Sequence, residues 1–254
     1  MRIAAAQMDI AWHDRRANHR KAGALADRAA AAGADLLVLP EMFATGFSMD
    51  TAVTAEPLDG PTPELLRALA REHSINVVGG FALAADMGNP QNVALAVDRA
   101  GNDLTCYAKT HLIALMHEDQ HYAAGTGAAV FHVDNTPTSL FICYDLRFPE
   151  LFRAVADDTA LMLVIASWPA ARAAHWQTLL PARAVENQCY VAGINRVGAG
   201  GGHEFAGGSV VIDPLGDVLQ QAGADEHLLV ADVDAEHVRR TRADMPFLAD
   251  RRRA

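Results

Sequence analysis

The sequence predicts a layered α/β domain built on a mixed β-sheet, and three observations predict it. Short apolar, β-branched runs alternate with longer Ala-rich or amphipathic stretches that suit helices. The run Asp35 to Pro40 is continuously apolar after its first residue, the mark of a strand covered on both faces. Neighbouring runs separated by turn residues insert hairpins among the strand–helix units, so the fold is neither all-α nor all-β.

In chain order, Ile3 to Met8 reads as a buried strand. Arg15 to Ala32 is Ala-rich, carries its charges on one side and closes at Gly33, a helix stop signal. After the strand Asp35 to Pro40, a helix is predicted over Pro63 to His73 and a strand over Ile75 to Leu83. Asn92 to Asp98 and Leu104 to Lys109 make a hairpin turning at Gly101-Asn102. Ser139 to Tyr144 is a further buried strand, and Pro149 is a favourable first residue for the next helix. Strand Leu161 to Ala166, helix Ala173 to Asn187 and strands Cys189 to Val197 and Ser209 to Asp213 follow, with Gly198 to Gly202 as a loop. Pro214 to Asp217 turns into Val218 to Gln221, Leu228 to Val233 is the last strand, and a short helix runs to Arg242. No linker, repeat or low-complexity tract interrupts the 254 residues, so a single domain over 1–254 is expected.

Composition narrows the function classes. Lys plus Arg number 21 against 31 Asp plus Glu, a net charge of −10, which is a poor electrostatic match for nucleic acid or an anionic membrane. The basic tail Arg251 to Arg253 is too short to reverse that. Three cysteines suggest no disulfide framework and favour a reducing compartment. Gln7 and Asp9 break the apolar start of the chain, so no signal peptide is expected, and runs such as Ala160 to Ala166 are far short of a membrane span. The expectation is a soluble, cytoplasmic protein.

Three residues capable of chemistry fall where strands should stop. Glu41 follows LLVLP, Lys109 follows LTCYA, and Cys143 ends SLFIC. Ligands of open α/β sheets bind beyond the carboxyl ends of strands, so a carboxylate, an ammonium and a thiol could meet in one crevice. Together they suit acyl transfer. Cys143 would attack, Glu41 would take its proton, and Lys109 with the backbone N–H of Tyr144 would receive the oxyanion. Bland readings compete: free cysteine is among the most buried residue types, Glu41 could pair with a helix terminus, and Lys109 could be a loop charge. Cys106 and Cys189 lie in apparent strands without polar apparatus beside them.

A second motif points elsewhere. His117 to His121 reads HEDQH, which matches H-E-x-x-H, and on a helix that spacing puts both histidines on one face for zinc with the Glu as base. The pattern is short in a chain with 11 His, its extended form fails after His121, and a third ligand would have to be distant, such as Asp134 or Glu150. No G-x-S-x-G nucleophile elbow, P-loop or complete dinucleotide fingerprint is present.

At these residues the sequence resembles the carbon–nitrogen hydrolase (nitrilase) superfamily. The resemblance rests on LVLPEMF around Glu41, YAKTHL around Lys109 and ICYDLRFPE around Cys143. It extends from IAAAQMDI through Ser167 to Gly198 and on to FAGGSVVIDPLG, almost the whole chain. It implies an αββα sandwich whose subunits pair into a four-layer αββα–αββα homodimer, and cysteine chemistry with no metal and no cofactor. It also implies that Glu118 matches a second glutamate which holds Lys109 charged and helps position substrate or water, so that His117 and His121 need no zinc.

CYDLRFPE and PEMFATGF look most like the omega-amidase branch, which hydrolyses the distal amide of 2-oxo acid monoamides such as 2-oxoglutaramate. Ala108 and Thr110 depart from the acidic and basic residues that often flank the lysine in that branch. A substrate of this kind ends in a carboxylate, for which Arg172 is the expected clamp, with Trp168 as an apolar wall. Arg147 is assigned instead to a structural ion pair with Glu150 or Glu186. Alternatives inside the family are an amidase for deaminated glutathione, a carbamoyl compound or an aliphatic amide. Outside it stand a zinc hydrolase using His117 and His121 and a catalytically silent scaffold.

Overall fold

The computed structural model describes residues 1–252, so Arg253 of the basic tail lies outside the described residues, while Arg251 pairs with Asp157. The elements run β1 (Arg2–Gln7), α1 (Arg15–Ala31), β2 (Leu36–Val38), α2 (Thr51–Thr54), β3 (Ala55–Glu56), α3 (Pro61–His73), β4 (Asn76–Leu83), β5 (Gln91–Val97) and β6 (Asp103–Ala108). The second half runs α4 (Glu118–His121), β7 (Val130–Val133), β8 (Thr136–Ile142), α5 (Pro149–Val155), β9 (Leu161–Ala166), α6 (Ala173–Asn187) and β10 (Tyr190–Asn195). It closes with β11 (Val197–Gly200), β12 (His203–Ala206), β13 (Val210–Ile212), β14 (Val218–Gln221), β15 (His227–Asp232) and α7 (Ala235–Asp244).

Two mixed sheets form, one ordered β15-β1-β2-β4-β5-β6 with β3 beside β4, the other β14-β13-β10-β9-β8-β7. The uninterrupted apolar character of their strands has a direct cause. Ile3 and Ala5 of β1, Leu36 and Val38 around β2, Leu140 and Ile142 of β8, and Leu161, Leu163 and Ile165 of β9 share one cluster between the sheets. The alternate residues Ala4, Ala6 and Leu37 pack under helices α1 and α3. Phe141, Met162 and Val164 pack under α5 and α6. Each central strand is thus covered on both faces, and the layers stack helix–sheet–sheet–helix, the αββα sandwich that the resemblance implies.

Local chemistry explains most boundaries. Asp14 caps α1 by accepting from Ala17 N at 2.9 Å, and Gly33 ends it in the left-handed region at φ +68°. Helix α3 starts two residues earlier than the sequence pattern suggests because Pro61 already occupies the first helical position. One prediction is corrected in part: Gly198 to Gly200 lie in strand β11, and only Gly201 and Gly202 form the turn that joins it to β12. Glycine is a poor strand former, which hid the pairing. It is needed here because the Trp12 ring fills the space where side chains at Gly200 and Gly201 would stand.

Among the described residues, no helix is long and apolar enough to cross a membrane.

Candidate active site

Glu41, Lys109 and Cys143 do meet beyond the carboxyl ends of their strands. Glu41 leaves the β2 segment through a tight turn, with Met42 at φ +45°. That turn lies directly on β4: Gly80 N donates to Pro40 O at 3.2 Å, Phe43 N donates to Gly80 O at 3.2 Å, and a Cβ on Gly80 would lie 2.8 Å from the Glu41 Cα. Only glycine lets the backbone bearing Glu41 come so close. Lys109 follows β6, and its N–H donates to the Asn92 carbonyl of β5 at 2.9 Å. Cys143 follows β8 at φ +47°, a strained strand-to-turn corner that lifts its side chain out of the sheet.

Asp145 holds this corner. Its Oδ2 accepts from Ile142 N at 3.1 Å and from the Tyr107 hydroxyl at 2.7 Å, and its Oδ1 accepts from His111 N at 2.8 Å. The His111 ring stacks on Phe148 with centroids 3.6 Å apart.

Glu41, Lys109 and Glu118 are fully buried, while Cys143 keeps an exposed edge. Lys109 Nζ donates to Glu41 Oε1 at 3.1 Å and to both oxygens of Glu118 at 2.9 Å. Asn92 Nδ2 donates to Glu41 Oε1 at 2.7 Å and to Glu118 Oε1 at 3.0 Å. Ile113 N completes Glu118 at 2.8 Å, and Ser167 N donates to Glu41 Oε2 at 2.7 Å. Burial pushes the Lys109 ammonium down, but Glu118 and Glu41 outweigh it and hold it above its ordinary pKa. Burial, then the Glu41 charge, pushes the Cys143 thiol well above its usual value, with Lys109 opposing. The Cys143 thiol thus stands beside a buried carboxylate that could accept its proton.

Above Cys143 lies a narrow cleft between Trp168, Tyr144, Phe47 and Met116. Trp168 is buried, and Asn195 of β10 fixes its backbone by accepting from Trp168 N at 2.8 Å. Arg172 lines the cleft with Nη2 only 3.7 Å from Met116 Sδ and makes no ion pair among the described residues. Arg147 corrects its sequence assignment. It pairs with neither Glu150, which is exposed, nor Glu186, which takes Arg183 at 2.9 Å and Arg153 at 3.7 Å. The short turn from Cys143 to Arg147 brings its guanidinium back over the Trp168 ring, 4.8 Å from the centroid, where it lines the same cleft.

The HEDQH motif takes a different form from the one zinc would require. His117 sits at φ +60° outside a helix of a single turn, so it and His121 do not share a helix face. Both are exposed, while Glu118 between them turns inward to Lys109. Asp134 is engaged by Arg99 and Asn76.

Sequence reasoning missed Asn92, Asp145, Asn195 and the Ser167 N–H. The one available signal was a polar side chain at the start of an otherwise apolar strand, as in Gln91–Val97.

The fold and the Glu–Lys–Cys cluster define a class, and direct comparison agrees with it. The carbon–nitrogen hydrolase family model matches residues 2–243, and the chain belongs to that family. It is a hydrolase of carbon–nitrogen bonds. The 2-oxoglutaramate amidase of Bacillus subtilis is 35% identical over 253 residues, 99% of this chain and 97% of the relative. The omega-amidase YafV of Yersinia enterocolitica is 40% identical over 237 residues, 93% of this chain and 89% of the relative. A CN-hydrolase superfamily structure from Xanthomonas campestris, with an arsenic adduct in its active site, superposes with a TM-score of 0.94 at 35% identity. It covers 100% of this chain and 98% of its own.

Proposed function

We propose that this enzyme is an omega-amidase that hydrolyses the distal amide of small 2-oxo acid monoamides, such as 2-oxoglutaramate, to the diacid and ammonia. One observation carries the reading: a buried Glu41–Lys109–Glu118 cluster beneath Cys143, in a cleft edged by two arginines. Similarity to the amidases named above supports the substrate class.

The geometry orders the steps. Glu41 Oε1 already accepts from Asn92 and Lys109, whereas Oε2, among the described residues, accepts only from Ser167 N. Oε2 therefore takes the Cys143 proton as sulfur attacks the amide carbon. The Lys109 ammonium and the Tyr144 N–H receive the oxyanion. The intermediate collapses by expelling ammonia, which carries away the proton held on Glu41, and leaves a thioester. Glu41 then deprotonates a water that attacks the thioester, releasing the carboxylic acid and returning the proton to sulfur. Glu118 keeps Lys109 charged throughout and helps position the substrate or the water. No metal or cofactor enters these steps.

Arg172, joined by Arg147, binds the far carboxylate, and Trp168 packs against the chain between the two ends. The narrow cleft suits a short acyl chain. Three free cysteines, with only Cys106 well exposed, support a cytoplasmic location, and the homodimer implied by the family resemblance belongs to the same proposal.

Ammonia release from 2-oxoglutaramate tests the reading, set beside glutamine, an aliphatic amide and a nitrile. Selective release that disappears in Cys143→Ala is the expected result. Equal or better turnover of the aliphatic amide would sink the omega-amidase assignment while leaving the cysteine mechanism standing.

A further inference from the structure

We infer that Asn92 is a positioning residue for the reaction, whose amide keeps Glu41 and Glu118 from sharing a proton and selects Oε2 of Glu41 as the basic atom. Two carboxylates here meet one ammonium in a volume closed to solvent. Like charges so close favour sharing a proton, and a shared proton would disable the base. Asn92 places one N–H on each carboxylate, at 2.7 Å and 3.0 Å, which uses both hydrogens of its amide.

The orientation has a cost. Oδ1 of Asn92 is buried and accepts from no donor among the described residues. A residue placed only to hold strands together would not need to aim both donors at carboxylates. The same residue also sets the Lys109 backbone through its own carbonyl. One position on β5 thus fixes the ammonium and both carboxylates that share it.

The groups facing Asn92 are Glu41 from the turn after β2, Glu118 from α4 and Lys109 from the end of β6. The Cys143 thiol and the Tyr122 hydroxyl, which donates to Ser48 O at 2.7 Å, lie within the same electrostatic field.

The inference rests on Glu41 as base and not on the identity of the amide, so its test avoids the substrate. Iodoacetamide labelling of Cys143 is followed across pH by peptide mass spectrometry, which separates it from Cys106 and Cys189. In the unaltered enzyme the labelling rate reports how readily Cys143 gives up its proton to Glu41. Asn92→Asp keeps the shape but adds a third carboxylate, and should move the pH–rate profile of labelling up by about one pH unit or more. Asn92→Ala should slow labelling at neutral pH about tenfold. Circular dichroism checks that each variant is folded, and Asn92→Ala decides the matter if Asn92→Asp is not. A folded variant with the original pH–rate profile and rate would make Asn92 merely structural. If instead Glu41→Gln labels like the unaltered enzyme, the base role itself fails and takes this inference with it.

Discussion

Lys109 and Arg196 are both cations with no exposed surface, and their surroundings differ in kind. Lys109 faces two carboxylates and is held above its ordinary pKa. Arg196 donates to the carbonyls of Ile10 at 2.9 Å, Ala199 at 3.2 Å and Val197 at 3.2 Å, and stacks 4.3 Å from the Phe205 ring centroid. Its nearest carboxylate, Asp9, stands at 3.8 Å and is half exposed, so burial wins and lowers Arg196 to about 10. Carbonyl dipoles are fixed and take no proton, so Arg196 bolts the segment after β1 to the β11–β12 hairpin. Carboxylates can change charge, which is why the proposed chemistry is assigned to Lys109 and not to Arg196. Burial of a cation is therefore uninformative until its acceptors are named.

The comparison breaks most visibly at Lys109. Lys109→Met should abolish amide turnover and also cost about 3–5 kcal/mol of stability, because two carboxylates are left buried without their cation. Activity and urea titration of the same preparation check both. Arg196→Met should cost about 1–3 kcal/mol through its orphaned carbonyls while kcat stays within a few-fold. A large kcat loss in a folded Arg196→Met would erase the distinction.

At the cleft, Arg172→Ala should raise KM for a carboxylate-bearing amide about tenfold or more and leave KM for a neutral amide unchanged. Equal KM values for the acid substrate would remove Arg172 from the clamp.

The smallest effect concerns His19, which lies 2.9 Å from the Thr62 hydroxyl. Burial, then Arg15, lowers its pKa from 6.5 to about 4. The folded state thus holds the ring neutral where the unfolded chain binds a proton. Stability present above pH 6.5 is lost as pH falls toward 4, by about 1 kcal/mol after allowance for partial exposure. His19→Gln should flatten that part of a Tm–pH curve.

Much of this was legible before the structure. Strand Leu161–Ala166, helix Ala173–Asn187 and strand Val218–Gln221 stand where pattern and turn chemistry put them. Glu41, Lys109 and Cys143 were readable because each interrupts an apolar run at its end. Glu118 was reached only through family resemblance, since HEDQH reads equally well as a zinc motif. Arg147 was misread because its guanidinium lies over the face of Trp168 and against His175 Nδ1, and neither is the carboxylate that sequence pairing looks for.

By itself, the sequence determined the layered α/β class, the strand ends at which reactive groups stand, and an acidic balance unsuited to nucleic acid. These follow from periodicity and residue type, which act over a few neighbours along the chain. The tertiary structure alone decided that Asn92 bridges two glutamates, that Ser167 N–H meets Oε2 of Glu41, and that His117 and His121 part company. Those outcomes depend on contacts such as Glu41 with Ser167, 126 residues apart, where sheet packing and desolvation set the partners.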